Sequence, residues 1–218
     1  MNTLKLMTLV LMSSASLYGA DNEIYIDQSG DTANIDLEQL GSGNIIGGLD
    51  STAGSLTPLD LDGNTLDLIL NQIGDSNTFL GDILGDNIVG YFNFDGNSNA
   101  FTIQVDPTDT YGADGSNLNV QATGDSNTFE LNLATSALAS NTDLDWIING
   151  SSNTLTFDID VDGAFSYVDI DGDSNTVDYD GDGYADGYFY LDQTGNSRTF
   201  NIQQLSTLDN DWLKILST

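Results

Sequence analysis

A six-residue phrase, Gly-Asp-Ser-Asn-Thr-Val at Gly172–Val177, returns along almost the whole chain and limits the fold more than any other property of the sequence. Close copies begin at Gly74, Gly96, Gly124 and Gly150, and an altered copy at Gly195 carries Arg198 where the others carry Asn. The glycines stand 22, 28, 26, 22 and 23 residues apart. A period in that range belongs to solenoids, propellers and arrays, whose units bury their apolar faces against one another.

The flanks of the phrase decide among these. Counting back in twos from Gly124 gives Ala122, Val120 and Leu118; from Gly150 it gives Ile148, Trp146 and Leu144. Beyond the turn, Asn127 leads in the same step to Phe129, Leu131 and Leu133. The positions between are mostly Asp, Asn, Thr or Glu, as at Asp143, Asp145, Asp158 and Asp160. Alternation with period two on both sides of a turn predicts strand, turn, strand, with one buried face and one acidic face. The expected turn glycines are Gly30, Gly41, Gly74, Gly96, Gly124, Gly150, Gly172 and Gly195, where a residue without Cβ accepts positive φ. The Asn and Gln residues run in phase with the apolar ones and therefore point inward. Stacked copies would pair their amides from turn to turn, as in cross-β ladders. The expected ladder is Gln28, Gln39, Asn44, Gln72, Asn77, Asn99, Asn127, Asn153, Asn175 and Gln193. A surface turn repeated by drift is the alternative, but drift would not hold the flanking phase through six copies.

Near the N-terminus the glycines step by 11, from Gly30 to Gly41 and from Gly63 through Gly74 and Gly85 to Gly96. A full unit of about 22 residues is then a flattened coil of two strands and two turns, and about eight coils fit between Ile24 and Ile215. Three stretches break the period: Gly47–Pro58, Pro107–Gly115 and Ala134–Thr142. Insertions in solenoids map to loops at a coil edge. The end of the chain, Leu208–Leu216, loses the repeat and reads as a cap on the last coil, with Arg198 marking a turn open to water.

Gln39-Leu40-Gly41-Ser42-Gly43-Asn44 and Gln72-Ile73-Gly74-Asp75-Ser76-Asn77 resemble the Q-x-G-x-x-N signature of curlin repeats, and the step of 11 from Gln28 to Gln39 matches that family too. The resemblance covers about residues 24 to 205 and is graded. Gln gives way to Phe94, Ala122, Ile148 and Ile170, and Asn to Ala33 and Arg198. The resemblance implies a secreted β-solenoid whose subunits stack into extracellular amyloid-like fibres serving adhesion and biofilm.

Residues 1–20 differ from the rest. Lys5 precedes an apolar run from Leu6 to Met12, then small residues lead to Ala20, the pattern of a secretory signal peptide cleaved after Ala20. A single domain over residues 21–218 and a secreted or cell-surface location are therefore expected. Beyond the leader, 34 acidic residues face two cations, Arg198 and Lys214. Repulsion excludes nucleic acid and anionic membranes as direct partners. With no cysteine, nothing staples the fold, and with 39% hydrophobic residues alternating in register the acidity does not signal disorder.

Acidic clusters are the remaining chemical feature. Asp178, Asp180, Asp182 and Asp186 fit the opening D-x-D-x-D-G-x-x-D of a calcium loop, although Phe189 stands where a bidentate acid belongs. A second match, Asp158 to Asp169, also reads as the outward face of a strand. Histidine is absent, so histidine triads are excluded along with thiol chemistry. Carboxylate-based polysaccharide enzymes on β-helices remain the enzymatic alternative. An ice-binding rank of Thr-x-Thr is not present: the pattern occurs singly, at Thr154-Leu155-Thr156 within a strand pattern and at Thr108-Asp109-Thr110 within a stretch that breaks the period. The sequence thus predicts a structural or adhesive protein without catalytic site or obligatory cofactor. It either self-associates head to tail, or works as a soluble, calcium-stabilised adhesin recognising a cell-surface or extracellular-matrix ligand.

Overall fold

The computed structural model describes residues 8–13, 23–41, 43–49, 56–106, 113–134, 139–183, 187–206 and 212–218. Within them the chain is all-β and winds between two facing parallel sheets. In the first sheet the strands Thr8–Ser13, Thr32–Leu40, Thr65–Ile73, Ile88–Asp95, Asn117–Thr123, Asp143–Asn149, Phe165–Asp171, Tyr188–Thr194 and Trp212–Ser217 lie side by side in that order. The second sheet runs from Glu23–Ile24 through Ile45–Ile46, Thr78–Leu84, Ala100–Val105, Thr128–Leu133, Thr154–Asp162 and Thr176–Gly183 to Thr199–Ser206. Asp27–Ser29 and Leu59–Asp62 complete its first rungs. Successive strands of the chain alternate between the sheets, which makes the fold a β-solenoid. Among the described residues no helix is long and apolar enough to cross a membrane.

Alternation in the sequence becomes alternation in burial. Thr32–Leu40 runs exposed, buried, exposed throughout, with Ala33, Ile35, Leu37 and Gln39 inside. Because every coil repeats the same phase, its inward residues stack on those of the next, and the interior becomes a set of columns. Rings form one continuous spine: Phe79 stacks on Phe101 at 5.2 Å, and contacts continue through Phe129, Trp146, Phe157 and Tyr179 to Phe189. Room for the rings comes from inward glycines. A Cβ at Gly90 would lie 2.5 Å from the Phe92 ring, and one at Gly181 would lie 2.6 Å from that of Tyr179.

Two kinds of arc join the sheets. The G-x-x-N turns carry the chain from the first sheet to the second, so Gly41, Gly74, Gly96, Gly124, Gly150, Gly172 and Gly195 form one edge. Gly30 belongs to the opposite edge, in line with Gly63 and Gly85. The turns stack so closely that a Cβ at Gly74 would lie 1.6 Å from the Gly41 carbonyl oxygen, and one at Gly150 equally close to that of Gly124. At Gly150, with φ of 147°, glycine is required by φ and by the neighbouring coil together. Gly74 and Gly96 lack the expected positive φ, and the neighbouring coil alone requires glycine there.

Six turns carry the inward Asn, from Asn44 to Asn175, so the regular coil has about six turns rather than the expected eight. The first rung is split into short pieces and the last turn carries Arg198. Two of the period breaks, 106–116 and 134–142, map to the edge opposite the G-x-x-N turns; 107–112 and 135–138 lie outside the described residues. Within Gly47–Pro58, Gly48–Leu49 and Leu56–Thr57 pair as a small antiparallel ribbon rather than a bare loop.

Candidate functional site

The asparagines on the G-x-x-N edge form a directional ladder. Asn44 Nδ2 donates to Asn77 Oδ1 at 3.2 Å, Asn77 to Asn99, Asn99 to Asn127 and Asn127 to Asn153 at 2.8 Å each, and Asn153 to Asn175 at 3.0 Å. All six side chains are buried. The same Nδ2 groups satisfy backbone carbonyls at the ends of the first-sheet strands: Asn44 donates to Gln39 and to Ile73 of the next coil, and Asn77 to Gln72 and Asp95. Each asparagine thus closes its own arc and ties it to its neighbour.

The glutamines do not extend this ladder as expected. Gln72 Nε2 donates to Gln39 Oε1 at 2.7 Å and to the Thr78 carbonyl, a true rung pair. Gln193 occupies the same column, but Phe94, Ala122, Ile148 and Ile170 separate it from Gln72. It is fully buried with neither amide atom bonded. Gln28 lies in the second sheet, across the coil from Gln39, and its Oε1 is buried without a partner. The 11-residue step therefore links opposite faces of one coil, whereas stacking needs the full repeat.

The outer faces are acidic. Asp178 and Asp180 lie exposed on the strand Thr176–Gly183, where they accept hydrogen bonds from Asn201 Nδ2 (2.9 Å) and Gln203 Nε2 (3.0 Å) of the next rung. Of the expected calcium residues Asp178, Asp180, Asp182 and Asp186, the first two thus stand on a strand rather than in a loop. An extended strand holds alternate side chains about 6.6–6.8 Å apart, so consecutive carboxylates do not wrap one cation. Asp186 and the side chain of Asp182 lie outside the described residues. Register instead places Asp158 beside Asp180 and Asp160 beside Asp182 on adjacent strands, where a cation would bridge coils. Among the described residues no group of three or more acidic side chains has metal-binding geometry.

Burial first, and neighbouring carboxylates second, raise the pKa of three aspartates. Burial, then Asp60 and Asp106, raises the pKa of Asp82 above its ordinary 3.8. Burial, followed by Asp192, Asp171 and Asp145, raises that of Asp169, and burial with Asp145 raises that of Asp143.

The two ends of the coil complete the site. Of the expected cap over Leu208–Leu216, the described part is a regular strand, Trp212–Ser217, paired in parallel with Tyr188–Thr194 and exposed at every residue; residues 207–211 lie outside the described set. Leu205, Trp212, Leu213, Ile215 and Leu216 gather exposed apolar side chains at this end. Arg198 reproduces the bonds of the asparagine it replaces, donating to the Gln193 carbonyl at 3.1 Å and that of Thr218 at 2.8 Å. A guanidinium has no acceptor, so the amide ladder stops at Asn175. At the other end Thr8–Ser13 pairs in parallel with Thr32–Leu40.

Sequence reasoning missed three features: the regular last strand, the pairing of Thr8–Ser13, and the outward aromatic stacks. In these stacks Phe165 lies over Tyr188 at 4.9 Å and Tyr167 over Tyr190 at 5.0 Å. The 23-residue offset of both ring pairs was the available clue to the stacks.

The fold and its edges define a two-sheet β-solenoid with stacked polar turns. Comparison with protein-family models, with curated proteins and with solved structures gives no match to this chain.

Proposed function

We propose that the protein is a secreted structural subunit, similar to curlin-repeat proteins, that stacks end to end into extracellular fibres for adhesion and biofilm. The observation that carries this reading is the C-terminal end of the coil. Its last strand is a regular rung with an unpaired backbone edge and an apolar exposed face, the arrangement that recruits another strand. A contact between this end and the opposite end of another copy is heterologous and does not close, so repetition yields a filament. The working parts are then backbone edges, amide ladders and apolar columns rather than a catalytic centre.

A second reading, a soluble monomer that binds a cell-surface ligand and is stabilised by calcium, draws support from the stacked carboxylates Asp158 and Asp180. Carboxylates about 4.8 Å apart repel by about 0.9 kcal/mol even at the dielectric of water, and a bridging divalent cation relieves it. Electron microscopy with thioflavin binding, with and without millimolar Ca²⁺, separates the two. Fibres in both conditions support the subunit; a monomer whose melting point rises with Ca²⁺ supports the adhesin.

A further inference from the structure

We propose that the last strand of a second copy, Trp212–Ser217, takes the place of Thr8–Ser13 on the edge of Thr32–Leu40, so that leader and neighbouring subunit compete for one edge. This rests on the reading of the protein as an exported fibre subunit and specifies its junction.

Three observations converge on it. The two outermost strands of the first sheet occupy the same columns. Leu9, Leu11 and Ser13 stand in register with Ile35, Leu37 and Gln39. At the far end Leu213, Ile215 and Ser217 stand in register with Phe189, Leu191 and Gln193. The pairings between run without a slip from Ile35 to Phe189, so Leu9 and Leu213 share a backbone register position. The two segments also share a pattern, Thr-Leu-Val-Leu-Met-Ser and Trp-Leu-Lys-Ile-Leu-Ser. One edge pairs with such a strand, and the opposite end of the coil presents one.

Charge agrees with the register. With Trp212–Ser217 of a second copy in the position of Thr8–Ser13, Lys214 falls beside Asp36, with Glu38 two residues on. Lys214 is one of three cations in the chain; it is exposed, with its Nζ 4.6 Å from the centre of the Tyr190 ring. On a molecule of formal charge −31, this brings a rare cation to an acidic edge.

The second sheet gives the third observation. With the leader set aside, the chain enters the coil on the second sheet at Glu23–Ile24 and leaves it on the first at Trp212–Ser217, so a following copy continues the alternation. In that continuation Thr199–Ser206 lies under Glu23–Ser29, and the column of Gln28 is the column of Gln204. The buried Gln28 Oε1, which has no partner among the described residues, then meets an amide donor, as Gln39 Oε1 meets Gln72.

Competition gives the leader a second consequence besides export. A copy that keeps residues 1–20 joins a fibre through its own Trp212–Ser217, but offers no edge to the next copy. It therefore stops growth.

The chain has no cysteine, so an introduced pair reports the junction cleanly. The exported protein carrying Asp36→Cys and Lys214→Cys is assembled, oxidised and run on a denaturing gel beside a control carrying Asp36→Cys and Asn201→Cys. A ladder of covalent multimers from the first pair alone is the expected result. Fibres visible by microscopy without that ladder, or with the same ladder from the control, overturn the junction while leaving the fibre reading standing. Absence of fibres from the unmodified exported protein overturns both. In a second arm, precursor retaining its leader through Ala20→Arg is added at one part in ten to growing fibres. The expected result is fibres several-fold shorter; fibres of undiminished length overturn the competition.

Discussion

Asn127 shows how much one side chain carries in this coil. Its Oδ1 accepts from Asn99, and its Nδ2 donates to Asn153 and to the Gly124 carbonyl, with no exposed surface. Asn127→Asp keeps the shape but replaces a donor by an acceptor facing Asn153 Oδ1 and buries a carboxylate. The expected cost is about 3 kcal/mol or more, which lowers the melting temperature by roughly 6–12 °C. Asp125, exposed in the same turn, is the control, and Asp125→Asn should shift melting by less than about 2 °C. Equal shifts in calorimetry would mean that inner and outer faces are exchanged. The glutamines give a test of opposite sign. Gln193→Leu removes two buried amide atoms without partners among the described residues and should stabilise by about 1–2 kcal/mol. Gln72→Leu loses the bonds that Nε2 donates to Gln39 Oε1 and the Thr78 carbonyl; offset in part by removal of its own unpartnered Oε1, this should cost about 1 kcal/mol. Denaturant unfolding of the two variants reads this directly, and a loss of stability in both would show that Gln193 is bonded in solution.

At the scale of the strand, each rung sets its carboxylates against those of the rungs on either side. The raised pKa values of Asp82, Asp143 and Asp169 mean that the folded state holds protons more tightly than the unfolded chain. Their contribution is fully present below the ordinary carboxylate pKa near 3.8 and is lost as pH rises through the raised values. The melting temperature should therefore climb as pH falls from 7 toward 4, opposite to the usual acid denaturation of proteins with ion-paired acids. A melting temperature that falls steadily over that range would contradict the crowding. The strands themselves were legible because period-two alternation is kept on both sides of each turn, and the asparagine ladder because Asn127 and its equivalents share that phase. Other features were less so. Asp-Tyr-Asp-Gly-Asp-Gly spells both a calcium loop and the outer face of a strand, and pairing with the adjacent rungs resolves it as strand. Gln28 stands 11 residues before Gln39, yet in a two-sheet coil half a repeat leads across the interior. Leu208–Leu216 reads as a cap because it loses the G-x-x-N repeat, although Leu213 and Ile215 keep the alternation.

For the whole molecule, stability and the proposed assembly share one origin: columns that repeat along the axis of the coil. Inside they are aliphatic, aromatic and amide, and each added rung extends them without new chemistry. At the C-terminal end the columns run out on exposed Leu213 and Ile215. The charge outside opposes close approach of molecules side by side and leaves the ends as the favourable contact. Assembly should accordingly quicken with salt, which screens the outer carboxylates over about 8–10 Å; thioflavin growth curves slowed by salt would contradict this. All of it depends on amides lying inside a stacked coil. The most direct test is hydrogen exchange of the assigned asparagine side-chain amides by NMR. The Nδ2 protons of Asn77, Asn99, Asn127 and Asn153 should exchange orders of magnitude more slowly than those of exposed Asn97. Exchange of all five at the same solvent-limited rate would contradict the account.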